Sequence, residues 1–292
     1  MFERVVIGVD FGGASVEAAT WVTRHLRPDE VVLSHVVRPM LPPDYIEGAL
    51  VDPIASLENS VVAASEQLHA LRERLGFDCT LDVRSGEPAW QLEEAAREHK
   101  AEAIVIGERG ARRSAWGSRG RTAFALMARA GIPVWFCRTL ADNAPRSVLG
   151  AVGAVPSGTE VIEAVRAAQQ AWGARGELLH VVDRMFVPRP HAAEISQRSL
   201  DDEVHREAET WLGEQRRRAR VRGTDVALQV VIGDPASELL AALYRGEHDL
   251  VILRGPGPAR GLMPDRVSRA LMSASPASLL RLPAREAPVA AA

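Results

Sequence analysis

The order of short segments in the first half of the chain recurs in the second half. Three pairs of segments match in the same order at spacings of 143 to 147 residues: Val5–Val9 with Val148–Val152, His35–Val37 with His180–Val182, and Gly86–Ala89 with Gly233–Ala236. A solenoid repeat recurs every few tens of residues, so a period this long indicates a duplicated domain. The chain is therefore expected to contain two copies of one architecture.

The length of the chain agrees with a duplication. Its 292 residues accommodate two domains of about 140 residues each, which is a common domain size. We expect the first domain at residues 1–140 and the second at residues 146–283, with a linker that contains Asn143 and Pro145. Residues 284–292 are predicted to form a flexible tail.

Within each half, segments typical of strands alternate with segments typical of helices. Val5–Val9 and Val31–Val37 are short apolar runs rich in β-branched residues, as in the buried strands of a parallel sheet. Between Leu57 and Leu75, apolar residues recur at alternating spacings of four and three, which predicts one apolar helix face. Gly76 follows as a C-terminal cap. This alternation predicts an α/β fold with a parallel sheet in each half.

A glycine-spaced segment follows the fourth predicted strand of the first half. Gly107, Gly110 and Gly120 lie between the apolar run Ile104–Ile106 and a predicted helix from Thr122 to Ala130. A strand, a glycine-containing loop and a helix N-terminus together present free backbone N–H groups to an anion, and glycine permits close approach of a phosphate. The alternative is that these residues are only turn glycines between a strand and a helix.

The second half lacks this pattern. At the positions of Asp10 and of the first and third loop glycines, the register of the repeat places the following residues: Gly153, Arg254 and Val267. The same register places Ser268 opposite Arg121, a match that chance explains. The loop of the second domain is therefore interpreted as degenerate, and a bound ligand is expected in the first domain, at no more than one molecule per chain.

Composition argues against several functional classes. A formal net charge of −3 does not indicate a nucleic-acid-binding protein, and no run of about 18 apolar residues predicts a membrane span. The two cysteines, Cys79 and Cys137, form neither a disulfide framework nor a metal-site spacing. The first ten residues are typical of a strand rather than a signal peptide. We expect a cytoplasmic protein with no nucleic-acid or membrane partner.

Taken together, these motifs resemble the tandem-domain form of the universal stress protein family, over about residues 3 to 283. Four segments carry the resemblance: VVIGVD at Val5–Asp10, LSHVV at Leu33–Val37, SGEPA at Ser85–Ala89, and RAGIPVWF at Arg129–Phe136 after the glycine loop. The resemblance implies two tandem flavodoxin-like open sheets of strand order 3-2-1-4-5, of the adenine-nucleotide alpha-hydrolase-like group. Ligands of such sheets bind at the carboxyl ends of the strands, between strands 1 and 4.

The resemblance also implies the parts of a nucleotide site. Asp10 matches an aspartate that contacts the adenine–ribose end of ATP in family members that bind it. Val36 matches the position whose backbone groups hold the adenine. Gly107 and Gly110 match the two glycines that follow strand 4. Asp10 has a second interpretation from the residues alone, as a local cap of the turn that follows it.

The phosphate side of the implied site departs from the family pattern. Gly120 matches a third glycine, which the family follows with Ser or Thr, whereas this chain has Arg121 next and Thr122 one step later. Two interpretations of Arg121 are open. Its guanidinium pairs with phosphate, for which its geometry is suited, or its bulk fills the space that a hydroxyl normally leaves.

The function that follows from the resemblance is regulatory rather than catalytic. We expect a stress-response protein that binds ATP or another adenine nucleotide, with or without Mg²⁺, and acts on an unidentified protein partner. His35 and His180 lie within apolar strands and are interpreted as core or strand-end residues. No Walker lysine follows the glycine loop. Slow hydrolysis of ATP is an open alternative. One alternative is an interaction protein with both pockets degenerate, and a less favoured one is a nucleotide-using enzyme of the same fold group.

The last strand of each half predicts how the two copies are arranged. Pro133–Cys137 and Ala277–Leu282 are short and apolar, and as exposed sheet edges they would leave backbone groups unpaired. The resemblance implies that the two domains pair through these strands as an intrachain pseudo-dimer. A homodimer of whole chains is an alternative.

Overall fold

The structure is a computed structural model in which two compact units are present, Met1–Asp142 and Asn143–Ala292. It describes the following residues: 1–39, 53–107, 120–138, 143–153, 158–187, 196–219, 226–246, 248–255 and 264–283. Gly110 and the predicted tail at 284–292 lie outside these ranges. Each unit is described here by itself.

The first unit is an open parallel sheet with connecting helices. Its elements are, in chain order, β1 (Arg4–Gly8), α1 (Gly13–Trp21), β2 (Glu30–Val37), α2 (Pro53–Leu75), β3 (Thr80–Ser85), α3 (Pro88–Glu98), β4 (Ala103–Gly107), α4 (Arg121–Arg129) and β5 (Val134–Cys137). Helix α1 continues as a π-helical turn over Val22–Leu26. All strand pairs are parallel, and the strand order is β3-β2-β1-β4-β5.

The second unit repeats this plan. Its elements are β6 (Ser147–Ala151), α5 (Gly158–Trp172), β7 (Arg175–Asp183), α6 (Gln197–Arg218), β8 (Val226–Gly233), α7 (Pro235–Gly246), β9 (Leu250–Arg254), α8 (Arg266–Ala274) and β10 (Ser278–Leu282). A 3₁₀ turn at Arg184–Phe186 follows β7. The strands pair in parallel in the order β8-β7-β6-β9-β10. Counted within each unit, both sheets have the order 3-2-1-4-5, and the predicted α/β class is confirmed.

The central strands of the first unit form its core. Val5, Val6 and Ile7 of β1 are fully buried, as is Ile104 of β4, because the central strands of a parallel sheet are covered on both faces. The sequences of these strands are therefore continuous apolar runs and do not alternate between apolar and polar residues. A rigid β1–β4 pair fixes the backbone from which the loops at the carboxyl edge emerge.

Local sequence signals set the helix ends as expected. The long helix α2 ends before Gly76, which has a φ of +60°, the left-handed conformation of a C-terminal cap. Helix α3 has Pro88 in its first turn, and the side chain of Glu87 accepts a hydrogen bond from the Trp90 backbone N–H. Proline is tolerated there because its missing N–H would have no helical acceptor.

Candidate functional site

The carboxyl ends of β1 and β4 form the topological switch point of the first sheet. Strand β1 pairs with β2 on one side and with β4 on the other, so the connections that leave β1 and β4 diverge. Such a divergence opens a crevice at the carboxyl edge, where ligands of open α/β sheets bind. Asp10 follows β1, and Gly107 is the last residue of β4. The structure thus places two of the predicted site residues at this edge.

Asp10 organises the turn between β1 and α1. Its Oδ1 accepts hydrogen bonds from the Gly12 backbone N–H at 3.0 Å and from the Ser15 hydroxyl at 2.7 Å. The carboxylate therefore acts as a local cap of this turn, as one of the two interpretations predicted. Its side chain is nevertheless exposed at the edge where a ligand would bind.

Gly107 permits a close approach between β4 and the first turn of α1. A Cβ atom added at Gly107 would lie 2.6 Å from the carbonyl carbon of Ala14 and 2.7 Å from the backbone N of Ser15. Neither backbone atom can swing aside. Asp10 and Gly107 thus contact the same helical turn, one through a hydrogen bond to Ser15 and the other through backbone packing. Sequence reasoning attributed Gly107 to a ligand and missed this packing role.

Gly120 begins α4 without a side-chain cap. It is the N-cap residue, with a φ of −60° and a ψ of 157°, and as a glycine it offers no side-chain acceptor to this helix end. No described atom lies within 4 Å of a Cβ atom built on Gly120. The first turn of a helix carries backbone N–H groups without helical acceptors, so this end of α4 is suited to an anion.

Arg121 and Thr122 open helix α4. Arg121 is exposed and Thr122 is half-buried. Among the described residues, the Arg121 side chain forms neither a hydrogen bond nor an ion pair. Glu87, which matches Asp234 in the register of the repeat, is 3.6 Å from Arg129 at the other end of α4, and the Arg129 guanidinium also lies over the Trp90 ring. The Arg121 side chain is consequently available to an anion at the start of its own helix.

Val36 and His35 lie on β2 beside the carboxyl end of β1. Val36 is half-buried and is opposite Arg84 of β3. His35 Nδ1 is 2.7 Å from the Val9 carbonyl oxygen, so Nδ1 carries the proton and donates. The His35 ring also contacts the ring of Phe11, with centroids 4.5 Å apart. His35 is therefore a strand-end residue with a structural partner, as expected from its apolar strand.

The second unit has a different helix end at the corresponding place. Helix α8 begins after Asp265, whose carboxylate accepts hydrogen bonds from the Ser268 backbone N–H and from the Ser268 hydroxyl, both at 2.8 Å. The N-terminus of α8 is therefore satisfied by a carboxylate of the protein. A second anion there would meet a like charge.

This geometry corrects the register predicted from the sequence. Helices α4 and α8 align through buried Leu-Met pairs, Leu126-Met127 and Leu271-Met272. That alignment places Asp265 opposite Gly120 and Arg266 opposite Arg121, so the predicted matches of Val267 with Gly120 and of Ser268 with Arg121 are wrong. The reason is that the segment between the fourth strand and the helix is two residues shorter in the second unit.

Two arginines that the structure describes at the corresponding edge of the second unit are paired with carboxylates. Arg254, at the end of β9 where the first unit has Gly107, lies 3.7 Å from Glu160 of α5. Arg266 is 2.8 Å from Asp234, whereas the matching Arg121 has no such described partner. In the second unit, Arg254 and Arg266 are thus each paired with a carboxylate.

Within the described ranges, no group of three or more His, Cys, Asp and Glu side chains is arranged to hold a metal ion. Among the helices that the structure describes, none is both long enough and apolar enough to cross a membrane.

Comparison with known families identifies a match in both halves. The model of the universal stress protein family matches residues 1–138 and again residues 145–283. The two consecutive matches confirm the tandem arrangement inferred from the repeated segments. No curated protein matches the chain.

Solved structures have the same fold over nearly the whole chain. A universal stress protein from Archaeoglobus fulgidus DSM 4304 is similar with a TM-score of 0.65 and 14% identity, over 96% of this chain and 98% of that chain. A protein of unknown function from Pseudomonas aeruginosa PAO1 also has a TM-score of 0.65, with 10% identity, over 97% of this chain and 92% of that chain. At these identities the likeness concerns the fold.

Proposed function

The chain belongs to the universal stress protein family, and on that premise we propose that its first domain binds an adenine nucleotide, ATP or a related compound, with or without Mg²⁺. The observation that carries the proposal is the start of α4, where Gly120 provides no side-chain acceptor for the first backbone N–H groups. A phosphate would accept those hydrogen bonds and interact favourably with the positive end of the helix dipole.

The charged side chain at the start of α4 supports an anionic ligand. Arg121 is exposed and is not engaged by Glu87, which lies beside Arg129. A guanidinium donates two parallel hydrogen bonds to a phosphate, and such charge-assisted bonds are stronger than neutral ones. We therefore assign Arg121 as a phosphate ligand, with Gly120 and Thr122 beside it.

The second domain supports the proposal by contrast. Its helix N-terminus is capped by Asp265, and its arginines Arg254 and Arg266 are already paired with carboxylates. A phosphate would have to displace these interactions at both positions. We accordingly propose one nucleotide per chain, in the first domain.

The proposed role is regulation of a protein partner in the cytoplasm rather than catalysis. Both cysteines of the chain, Cys79 and Cys137, are buried and are not joined in a disulfide, which suits a reducing compartment. In this role the occupancy of the nucleotide site is the signal.

A second candidate function is that of an interaction protein without a ligand. Two observations favour it. The Asp10 carboxylate already serves the turn at Gly12 and Ser15, and packing against Ala14 alone accounts for the glycine at position 107. The two candidates differ in one measurable property, which is nucleotide affinity.

Calorimetric titration with ATP separates the two candidates. We expect one site per chain for the wild-type protein. In the variant Gly120→Asp, a carboxylate at the N-cap copies Asp265, so it should stabilise α4 while repelling phosphate. We expect its ATP affinity to fall at least tenfold, which corresponds to about 1.4 kcal/mol.

The matched control is Gly131→Asp. Gly131 also has no described atom within 4 Å of a built Cβ, but it follows α4 instead of beginning it. This variant adds the same charge to the same domain and should leave ATP affinity unchanged. Absence of ATP binding by the wild-type protein, or two equivalent sites per chain, would contradict the proposal.

A further inference from the structure

Phe11 has a backbone conformation that is unusual for a bulky residue. Its φ is +60°, in the left-handed region that costs an L-residue roughly 1–2 kcal/mol. The next two residues are Gly12 and Gly13, which adopt such angles without strain. The chain nevertheless places the aromatic residue at the left-handed position. Residues held in such strained backbone conformations cluster at functional sites.

The ring of Phe11 is held in place by His35. The two ring centroids are 4.5 Å apart with an interplanar angle of 30°. The orientation of the His35 ring is itself set by its Nδ1–H donating to the Val9 carbonyl oxygen at 2.7 Å. One face of the Phe11 ring therefore lies on a positioned partner, and the residue as a whole is half-buried.

The second unit has a histidine, His180, at the position of His35, but a tryptophan from another element covers its ring. His180 Nδ1 is 2.8 Å from the Val152 carbonyl oxygen, which repeats the His35 arrangement. Its ring is covered by Trp211 of α6, with centroids 4.8 Å apart, and His180 is buried. At the position that matches Phe11 the sequence has Ala154. An aromatic residue in this turn is thus confined to the domain in which α4 begins without a side-chain cap.

We propose that Phe11 is a base-stacking residue, whose ring face opposite His35 packs against the nucleobase of the bound nucleotide. This inference rests on the proposed function of the first domain. Phe11 directly follows Asp10 at the carboxyl edge between β1 and β4, and its inner face is supported by His35. A ring face stacks on any base without reading its hydrogen-bonding groups, and a purine offers a larger surface than a pyrimidine. Phe11 therefore selects purine over pyrimidine nucleotides.

The test compares Phe11→Asn with Phe11→Tyr in the full-length protein. Asparagine tolerates the left-handed conformation but has no ring, whereas tyrosine keeps the ring. The probes are ATP, CTP and inorganic tripolyphosphate, titrated by calorimetry. We expect Phe11→Asn to weaken ATP binding by about tenfold, within the range measured for a stacked base. It should also reduce the preference for ATP over CTP. Phe11→Tyr should retain both.

Tripolyphosphate is the control for the fold and for the phosphate side of the site. Its affinity should be the same in the wild-type protein and in Phe11→Asn, because it has no base to stack. Phe11→Leu, which keeps apolar volume over His35, is a second ring-free variant and should behave like Phe11→Asn.

Several outcomes would overturn the assignment. Unchanged ATP affinity in both ring-free variants would remove the stacking role and leave nucleotide binding intact. Tighter ATP binding in those variants would show that the ring blocks the site. Equal loss of tripolyphosphate affinity would show a structural role. Failure of the wild-type protein to bind any of the three probes would reject the proposed function together with this inference.

Discussion

Gly107 of β4 packs directly against the backbone of Ala14 in α1: a Cβ atom at position 107 would lie 2.6 Å from the Ala14 carbonyl carbon. Contacts this short with backbone atoms can be relieved only by moving the helix or the strand. Because Ser15 of the same helical turn is hydrogen-bonded to Asp10, such a movement would also disturb the turn that follows β1. Gly107 is therefore a structural residue of the switch point, whatever the site binds.

Substitution of Gly107 tests this packing. We expect Gly107→Ala to lower the free energy of unfolding of the first domain by about 1–3 kcal/mol, as for other overpacked sites. Urea denaturation followed by circular dichroism measures it. The control is Gly13→Ala, at the first position of α1, where a built Cβ meets no described atom within 4 Å. This control should be neutral or slightly stabilising, and equal loss in both variants would contradict the packing argument.

Removal of the carboxylate cap at α8 should destabilise the second domain. Asp265→Ala leaves the Ser268 backbone N–H and hydroxyl without their acceptor, and the loss of an N-cap costs about 1 kcal/mol. Thermal unfolding measures the change. As a comparison, Glu163→Ala on the exposed face of α5 should have little effect. A stability of Asp265→Ala equal to that of the wild-type protein would show that the cap contributes nothing.

Arg121→Ser distinguishes the two interpretations of this arginine. If the guanidinium binds phosphate, as proposed, the variant loses a charge-assisted contact and ATP affinity falls several-fold, more at low salt than at high salt. Calorimetry at two salt concentrations measures both effects. Arg266→Ser is the matched substitution in the second domain and should not change ATP affinity. Tighter binding by Arg121→Ser would support the obstruction model instead.

The pH dependence of stability should reflect buried His248. Its Nδ1 is 2.8 Å from the Ser147 hydroxyl oxygen, and its Nε2 is 3.5 Å from a Glu177 carboxylate oxygen. Burial lowers the pKa of His248, and nearby Arg175 lowers it further, while Glu177 and Asp249 oppose the shift. Protons therefore bind more readily to the unfolded state, whose histidine pKa is about 6.5.

The contribution of neutral His248 to the free energy of unfolding should therefore be fully present above pH ~6.5. It should be lost as the pH falls from there to the lower folded-state pKa of His248. Amide hydrogen exchange in the strands of the second domain, measured between neutral and mildly acidic pH, reports the free energy of opening. Burial also lowers the pKa of His180 in the same domain, so His248→Gln should reduce this dependence without abolishing it. Identical slopes for the wild-type protein and the variant would show that His248 is not responsible.

Much of the fold follows from local sequence. Continuous apolar runs indicate that β1 and β4 are buried strands, and the ends of α2 and α3 follow from Gly76 and Pro88. The strand order of each sheet was implied by the family resemblance. The predicted register between the two glycine-loop regions was wrong by two residues. The reason is that loop length leaves no periodic pattern, whereas the helices that follow carry an unambiguous Leu-Met pair at Leu126-Met127 and Leu271-Met272.

The sequence by itself determined the duplication, the α/β class and the glycine-rich character of the first copy, because periodicity and residue type are local properties of the chain. Only the tertiary structure decided that Gly107 faces the backbone of Ala14, that the Asp265 carboxylate caps α8, and that the Phe11 ring packs against His35. These relationships depend on which segments the sheet brings together, and the distances that decide them are set by packing between residues far apart in the chain.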